Sequence, residues 1–298
     1  MKKIIYLIPV LLATLFLNAC NNEDVTQLDY HDPTVFFMPS DSATDSISVM
    51  RRQFFSDYGS YLLFNDTLQN NYLGKDVNGE NRYFTETIDV AYSVGQTAYS
   101  STQYNYTYFR DYDDCKAAVN FMKKFILIHL SNKLKPFSWF LAKSITGKTN
   151  TGNIIKPYAM GGQRCIVLSC GLLPSLKTDA LKQSLADRHL VVIIGNLANN
   201  NSSAFEYFYN ISGSYYGSEI GISDAAEQAE KLHSLGFISA DPTLPGYYPS
   251  RSTDLSTFAS IAITYTDDKV MSIYGKYPLI IEKVKIMKDV LTKLGYIL

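Results

Sequence analysis

The chain has 298 residues, of which 28 are acidic and 27 are lysine or arginine, and its formal net charge at pH 7 is −1. This balance lacks the basic excess with which proteins bind nucleic acid, so nucleic acid is excluded from the expected partners. Removal of a targeting segment leaves roughly 250 residues for folding, enough for one large domain or two small ones.

The first 19 residues have the pattern of a signal peptide. Two lysines precede an apolar run over residues 4–17, and this run is shorter than the roughly 20 apolar residues that a membrane-spanning helix needs. The run leads into Leu17-Asn18-Ala19-Cys20, a lipobox-like sequence with a small residue before the cysteine. We therefore predict cleavage before Cys20 and a diacylglycerol on its thiol, which holds the mature protein on a membrane. The alternative is an ordinary secreted protein that is cut near Ala19.

Residues 20–46 are predicted to form the lipid anchor and a tether. They are rich in Asp, Ser, Thr and Pro, and their large apolar side chains are concentrated at residues 35–38. Such a segment cannot bury enough surface to offset the entropy lost on ordering it. The acidic pair Glu23-Asp24, close behind the cysteine, resembles the surface-export signal of some Gram-negative lipoproteins. We therefore expect a protein that is lipid-anchored in the outer membrane and exposed at the cell surface.

Residues 47–298 are predicted to form a single α+β domain. Strands are predicted at 61–64, 87–90, 137–145 and 164–169. Helices are predicted at 46–58, 111–134, 178–200, 204–211, 223–235, 254–266 and 278–294. Since the strands lie mostly in the first half and the helices in the second, the sequence favours an N-terminal sheet followed by a helical C-terminal half.

Three of these helices carry the clearest signals. The helix at 111–134 begins with acidic residues, which suit the helix dipole, and its apolar residues recur at helical spacing. Thr178 is a good N-cap for the long helix that follows it. The last helix begins at Pro278 and stops before Gly295. Its apolar stripe is predicted to comprise Ile281, Val284, Met287, Leu291 and Leu294.

The mature chain keeps three cysteines besides the lipidated one: Cys115, Cys165 and Cys170. An odd number argues against a full disulfide framework. Cys165 and Cys170 flank a predicted strand, on which they would point to opposite faces and lie too far apart to bridge. We therefore expect buried free thiols. A cysteine nucleophile would need a partner that the sequence does not indicate.

The order of these parts resembles the bacterial lipoprotein family of zinc-binding metallopeptidases, which has a zincin-like fold. The resemblance covers most of the mature chain. It is carried by the lipobox, the segment 61–66, Leu134-Lys135-Pro136 before a strand, the helix at 178–200, Leu235-Gly236-Phe237-Ile238-Ser239, an Asp-rich helix start near Phe258 and a long terminal helix. The resemblance implies a zincin-like metallopeptidase fold, with a mixed sheet in the N-terminal part.

Active members of that family carry His-Glu-x-x-His on the central helix. Two histidines four residues apart share one zinc ion, and the glutamate activates the metal-bound water. The best superposition places this motif on residues 195–199, so that Gly195 and Asn199 replace the histidines and Asn196 replaces the glutamate. A third family ligand, a glutamate, falls on Ser260 in Thr257-Phe258-Ala259-Ser260. The resemblance therefore implies a degenerate site without zinc or catalytic residues, and hence a pseudoenzyme.

The superposition requires residues 190–194 to be helical. Leu190-Val191-Val192-Ile193-Ile194 is a β-branched run before a glycine, and such a run is also typical of a buried strand. An extended conformation there would remove the family interpretation. If the helix is correct, we expect Gly195, Asn199 and Ser260 to converge around a neutral polar cleft that holds no metal.

Other parts of the sequence offer weaker candidates for a site. The four histidines are too far apart in sequence to pair as metal ligands: His31, His129, His189 and His233. A cluster of tyrosines follows an asparagine-rich segment and suits the binding of a peptide or glycan by stacking and hydrogen bonds. Its candidate members are Tyr207, Tyr209, Tyr215 and Tyr216. The alternative is that about half of the rings in this region belong to the core.

Three classes of function remain open at this point. The favoured one is a non-catalytic surface lipoprotein that binds peptide or glycan in the former cleft, or serves an uptake complex. The second is a hydrolase, zinc-dependent or other, with an unrecognised site. The third is a structural lipoprotein without a ligand. No cofactor is expected apart from the lipid on Cys20.

Overall fold

The structure, a computed structural model, describes residues 36–88, 90, 102–162 and 164–298. The chain divides into two units, Met1–Val35 and Phe36–Leu298, and all the described residues belong to the second. The predicted signal peptide, Cys20 and His31 therefore lie outside the described residues. Within the described part, no helix combines the length and the hydropathy that crossing a bilayer requires.

The described residues form a mixed α+β fold in which every strand precedes residue 170, as predicted. The strands are β1 (Tyr61–Leu63), β2 (Thr67–Lys75), β3 (Asn81–Thr87), β4 (Gln103–Thr107), β5 (Ser138–Ala142), β6 (Ser144–Lys148), β7 (Ile154–Ile155), β8 (Ala159–Gly161) and β9 (Cys165–Ser169). The helices are α1 (Ser46–Tyr58), α2 (Tyr112–Phe125), α3 (Asp179–Asn200), α4 (Glu206–Ser212), α5 (Ala225–Ser234), α6 (Arg251–Thr264), α7 (Asp267–Tyr274) and α8 (Pro278–Leu294).

The central sheet has the strand order β1-β5-β9-β8. Strands β1, β5 and β9 are parallel, and β8 runs antiparallel to β9 at one edge. All five residues of β5 and four of the five in β9 are buried, as expected for parallel strands with both faces covered. The two faces carry separate cores, and Cys165 belongs to one core while Cys170 belongs to the other. This placement confirms the prediction of two buried free thiols on opposite sides.

Two smaller sheets show where the strand predictions were wrong. Strands β2 and β3 form an antiparallel hairpin, and β4, β6 and β7 form a three-stranded sheet. The predicted strand at 87–90 starts where β3 ends, and the predicted strand at 137–145 is divided between β5 and β6. The hairpin was missed because its side chains are almost all exposed, so the alternation of apolar and polar residues that marks a half-buried strand is absent.

Two helix predictions were too long or misplaced at their ends. Helix α2 ends at Phe125 rather than Leu134, and Leu130 is extended because its backbone pairs with Tyr296 near the C-terminus. The predicted helix at 254–266 is α6, which begins at Arg251 and ends at Thr264. A separate helix, α7, follows because Thr266 caps it by accepting a hydrogen bond from the Lys269 amide.

The long helices α3 and α8 form as predicted. Thr178 caps α3 through a hydrogen bond from the Leu181 amide to its hydroxyl. Helix α8 ends at Leu294, before Gly295, whose φ of 106° lies in the left-handed region that favours glycine. The folded part also begins earlier than residue 47, since Phe37 is fully buried against the central sheet.

Candidate functional site

The central condition of the family interpretation is satisfied locally, because residues 190–194 are helical within α3. Gly195 and Asn196 follow on the same helix and are partly buried, whereas Asn199 is exposed. A Cβ added to Gly195 would meet no atom within 4 Å apart from its own stretch of helix, so there is room for a Cβ at this position. One helix therefore carries Gly195, Asn196 and Asn199, the three positions on which the His-Glu-x-x-His motif was superposed.

Asn196 points from α3 towards the edge strand β8. A Cβ added to Gly161 of that strand would lie 2.5 Å from Asn196 Cγ, well inside van der Waals contact. The absence of a side chain at Gly161 therefore lets the amide pack against the strand backbone. The Asn196 Nδ2 atom is buried there and has no hydrogen-bond partner among the described residues.

Ser260 lies on α6, a separate helix that packs against α3, as predicted. Its side chain lines an open hollow with a volume of about 630 Å³. We call this feature the hydroxyl hollow, and its lining comprises Ile238, Thr253, Ser256, Thr257, Ser260, Ile261, Tyr265 and Tyr274. Residues 195, 196 and 199 are not part of that lining. The convergence of Gly195, Asn199 and Ser260 on one cleft therefore stays a prediction.

The hydroxyl hollow is neutral and rich in hydrogen-bonding groups. Its four Ser and Thr residues recur along α6 at helical spacing and so share one face, and no acidic, basic or histidine side chain is part of the lining. The hydroxyls of Ser256 and Ser260 make no hydrogen bond to the described part of the chain, whereas Thr257 donates to the Thr253 carbonyl. The Lys269 ammonium lies 3.7 Å from the centre of the Tyr265 ring.

The superposed positions do not fit a zinc ion. Glycine has no ligand atom, and the amide and hydroxyl of Asn199 and Ser260 are poor substitutes for imidazole and carboxylate. Within the ranges that the structure describes, no three His, Cys, Asp or Glu side chains are grouped so that they could hold a metal ion.

The predicted tyrosine cluster does not form one platform. Tyr207 is 64% exposed, and Tyr215 is 40% exposed beside the ring of Tyr248. Tyr209 is partly buried, and the Arg251 guanidinium lies 5.2 Å from the centre of its ring. Tyr216 is also partly buried, and its hydroxyl donates a 2.7 Å hydrogen bond to Asp254. Two of the four rings thus serve internal contacts, which agrees with the alternative that about half belong to the core.

A buried ion pair between Asp254 and Lys283 was missed by the sequence analysis. The two side chains are 1% and 0% exposed, and Nζ lies 2.5 Å from Oδ2. The ammonium also donates to the hydroxyls of Ser212 and Tyr216, at 3.0 and 3.3 Å. Burial raises the pKa of Asp254 and lowers the pKa of Lys283, while their mutual attraction opposes both shifts. Since both side chains are buried and satisfied by each other and by these hydroxyls, the pair has the character of a structural element.

Aromatic rings enclose the rest of the Lys283 ammonium. Its Nζ atom lies 4.4 Å from the ring centre of Phe208, 4.6 Å from that of Phe258 and 5.0 Å from that of Phe237. The negative faces of aromatic rings attract a cation at such distances. The sequence spacing could have indicated that Lys283 is buried, because it lies three residues after Ile280 and four before Met287, on the buried stripe of α8. The predicted stripe instead included Ile281 and Leu294, which are only partly buried.

Among the described residues, the histidines and thiols do not form a second site. A ring nitrogen of each described histidine contacts a backbone carbonyl: His129 that of Ile297, His189 that of Ser169 and His233 that of Ile238. Burial raises the pKa values of Cys165 and Cys170 to about 12, which keeps both thiols protonated and unreactive at neutral pH.

Comparison with known proteins identified no relative of this chain. The chain matches no protein-family model, and searches of curated proteins and of solved structures found no significant match. The resemblance to lipoprotein metallopeptidases therefore rests on the order of sequence features alone.

Proposed function

We propose that this chain is a lipid-anchored lipoprotein of the outer-membrane surface that binds a neutral peptide or glycan without turnover. We also propose that its scaffold is zincin-like. The single observation that supports binding is the hydroxyl hollow, an open, uncharged surface with unpaired hydroxyls and two tyrosine rings. The scaffold proposal is supported by the helical conformation of residues 190–194, by an antiparallel strand at the sheet edge beside α3, and by the packing of α6 on α3.

The chemistry of the hollow favours neutral, hydrogen-bonding ligands. Each hydroxyl can donate one hydrogen bond and accept others, so Ser256 and Ser260 can bind sugar hydroxyls or peptide groups. Tyrosine adds an apolar face and a polar tip, which suits both classes of ligand. A charged ligand would lose hydration without touching an opposite charge in the lining, which contains no ionised side chain. The nearby Lys269 ammonium is held over the Tyr265 ring.

The double variant Ser256→Ala/Ser260→Ala tests this binding function. Each lost hydrogen bond is worth about 1 kcal/mol, so we expect affinity for a ligand found with wild type to fall by roughly 10- to 30-fold. The measurement is binding of the purified protein to immobilised neutral oligosaccharides and to uncharged peptides. Ser234→Ala/Ser272→Ala removes two exposed hydroxyls outside the hollow and should leave binding unchanged.

The same assay separates the other functional classes. Cleavage of the peptides by wild type, together with stoichiometric zinc in the purified protein, would support the hydrolase. Absence of both binding and cleavage would support a structural lipoprotein. Saturable binding without turnover that the hollow variant does not weaken would place the ligand elsewhere and overturn the role of the hollow.

Restoring the metal ligands tests the proposed scaffold. The triple variant Gly195→His/Asn199→His/Ser260→Glu supplies two imidazoles and one carboxylate, and a Cβ at position 195 meets no atom outside its own stretch of helix. We expect about one zinc ion per chain by metal analysis. The variant without the Ser260 substitution is the control and should retain much less zinc. Equal zinc contents in the two variants would show that the three positions do not converge.

Removal of the lipidated cysteine tests the anchor. With Cys20→Ala, the thiol that accepts the diacylglycerol is lost, and we expect the protein to leave the membrane fraction or to accumulate with its signal peptide uncut. The measurement is fractionation and intact mass, with Cys115→Ala as the control that keeps the lipid. Unchanged membrane attachment of a processed Cys20→Ala protein would contradict the lipoprotein assignment.

A further inference from the structure

A second cavity lies at the carboxyl end of β9, away from the hydroxyl hollow. It has a volume of about 480 Å³ and opens to solvent between α2 and the start of α3. We call it the α2–α3 pocket. Cys170, which directly follows β9, is part of its lining. In sheets with parallel strands, ligands commonly bind outside the carboxyl ends of the strands, so its place in the fold is that of a ligand site.

The interior of this pocket is apolar. Phe109, Phe121 and Phe125 line it together with Leu173 and Pro174. Phe121 and Phe125 are anchored in the core at 4% and 7% exposure, and their ring centres lie 5.7 Å apart. Pockets of this size and lining suit small molecules. At about 30 Å³ for each water molecule in the liquid, the volume corresponds to roughly 16 waters, which leaves room for a small organic molecule.

Charges are segregated along the pocket. Lys124 and Lys182 are part of the lining at one end, where the Lys124 ammonium lies 2.6 Å from the Asp179 carboxylate. Lys182 makes no ion pair with the described residues, so this end carries one positive charge in excess. Asp114 lies ten residues before Lys124 on α2, which corresponds to roughly 15 Å along a helix. An anionic group is therefore favoured near the lysines and disfavoured at the opposite end.

We propose that the α2–α3 pocket binds a small amphipathic carboxylate, with its anionic group beside Lys182 and Lys124 and its hydrocarbon body against the phenylalanines. Most of the affinity comes from burial of apolar surface, since the lysines are solvated and exposed charges contribute little. The charges select the sign and orientation of the ligand. This site is independent of the peptide or glycan function proposed for the hydroxyl hollow.

The experiment is calorimetric titration of the purified protein with sodium decanoate. We expect saturable binding of one decanoate per chain, tightening about two- to fourfold for each methylene between hexanoate and decanoate. Decanol should bind more weakly than decanoate, and decyltrimethylammonium more weakly still. Decanedioate should also bind more weakly than decanoate, because its second carboxylate would lie near Asp114. Equal binding of the carboxylate, the alcohol and the cation would overturn the proposal.

Two variants locate the site, each with a matched control. Ala117→Phe places a ring in the pocket from an exposed helical position and should abolish binding, whereas Ala229→Phe on α5 should not. Lys182→Glu should weaken decanoate binding at least fivefold. It should also reduce the ratio of the affinity for decanoate to the affinity for decyltrimethylammonium, whereas Lys231→Glu should have no effect. If circular dichroism shows that the Ala117→Phe protein is misfolded, the comparison of Lys182→Glu with Lys231→Glu tests the proposal instead. Unchanged binding in Lys182→Glu, or in a folded Ala117→Phe protein, overturns the assignment.

Discussion

Lys283→Met is expected to lower the free energy of unfolding by about 3–5 kcal/mol, the usual cost of leaving one member of a buried ion pair without its partner. The substitution keeps most of the volume of the lysine but removes the ammonium that neutralises Asp254. The carboxylate then retains only the hydrogen bond from Tyr216, at 1% exposure. Urea unfolding followed by circular dichroism measures the change from the shift of the midpoint at constant slope.

A second substitution separates the lost charge from lost packing. In Lys283→Met/Asp254→Asn, the side chain at 254 is neutral and its carbonyl can still accept from Tyr216. Replacing both members of a buried pair is often close to neutral, so we expect the double variant to recover most of the loss. The control is Lys276→Met, which breaks the exposed pair with Glu230 and should cause a much smaller change. A double variant as unstable as Lys283→Met would show that packing, not charge, dominates.

Elements with strong local signals could be predicted from the sequence. Helix α3 begins after the predicted Thr178 cap and ends at Asn200 as predicted, and α8 has the predicted bounds because a proline and a glycine punctuate it. Helix α1 likewise matches the predicted range of 46–58. These boundaries depend on the conformational preferences of a few neighbouring residues, which are visible without tertiary information.

Elements without a hydrophobic pattern, or with distant partners, were not predicted. The β2–β3 hairpin presents almost no buried side chains and so lacks a hydrophobic pattern. The early end of α2 depends on a backbone pairing with Tyr296, more than 160 residues away in the sequence. The local signal of the hairpin is confined to its turn, where Asn78 precedes Gly79 and the glycine has a φ of 85°. The bridge to Tyr296 leaves no local signal, because long-range pairings are determined by the assembled fold.

The candidate site was likewise predictable in part, where local sequence signals were sufficient. The sequence placed Gly195, Asn199 and Ser260 on two separate helices, and the structure agrees. The hydroxyls that surround Ser260 could have been noticed from their helical spacing on α6, whereas the contribution of Ile238 and Tyr274 requires the tertiary fold. The sequence analysis did not identify Lys283, whose neutralising partner Asp254 lies 29 residues away on another helix.

Acid is expected to destabilise this protein through His189, which is fully buried between α3 and the sheet. Its Nε2 atom lies 3.1 Å from the Ser169 carbonyl and can donate to it when the ring is neutral, while Nδ1 is buried without a partner. Burial lowers the pKa of His189 to about 4, because the charged ring would lose its hydration. The unfolded chain therefore binds a proton between about pH 6.5 and pH 4 that the folded chain does not.

The sign of the pH effect follows from this difference in bound protons. Stability rises with pH wherever the unfolded state binds more protons, so the contribution of neutral His189 is complete above about pH 6.5 and declines as the pH falls to 4. The loss amounts to about 3 kcal/mol across that window. His189→Gln keeps an N–H donor for the Ser169 carbonyl but cannot be protonated. We expect the variant to be less stable than wild type at pH 7.5 and the difference between the two to shrink by about this amount at pH 4. Urea unfolding of both proteins at each pH measures it, and parallel stability curves from pH 6.5 to pH 4 would show that His189 is not the group responsible.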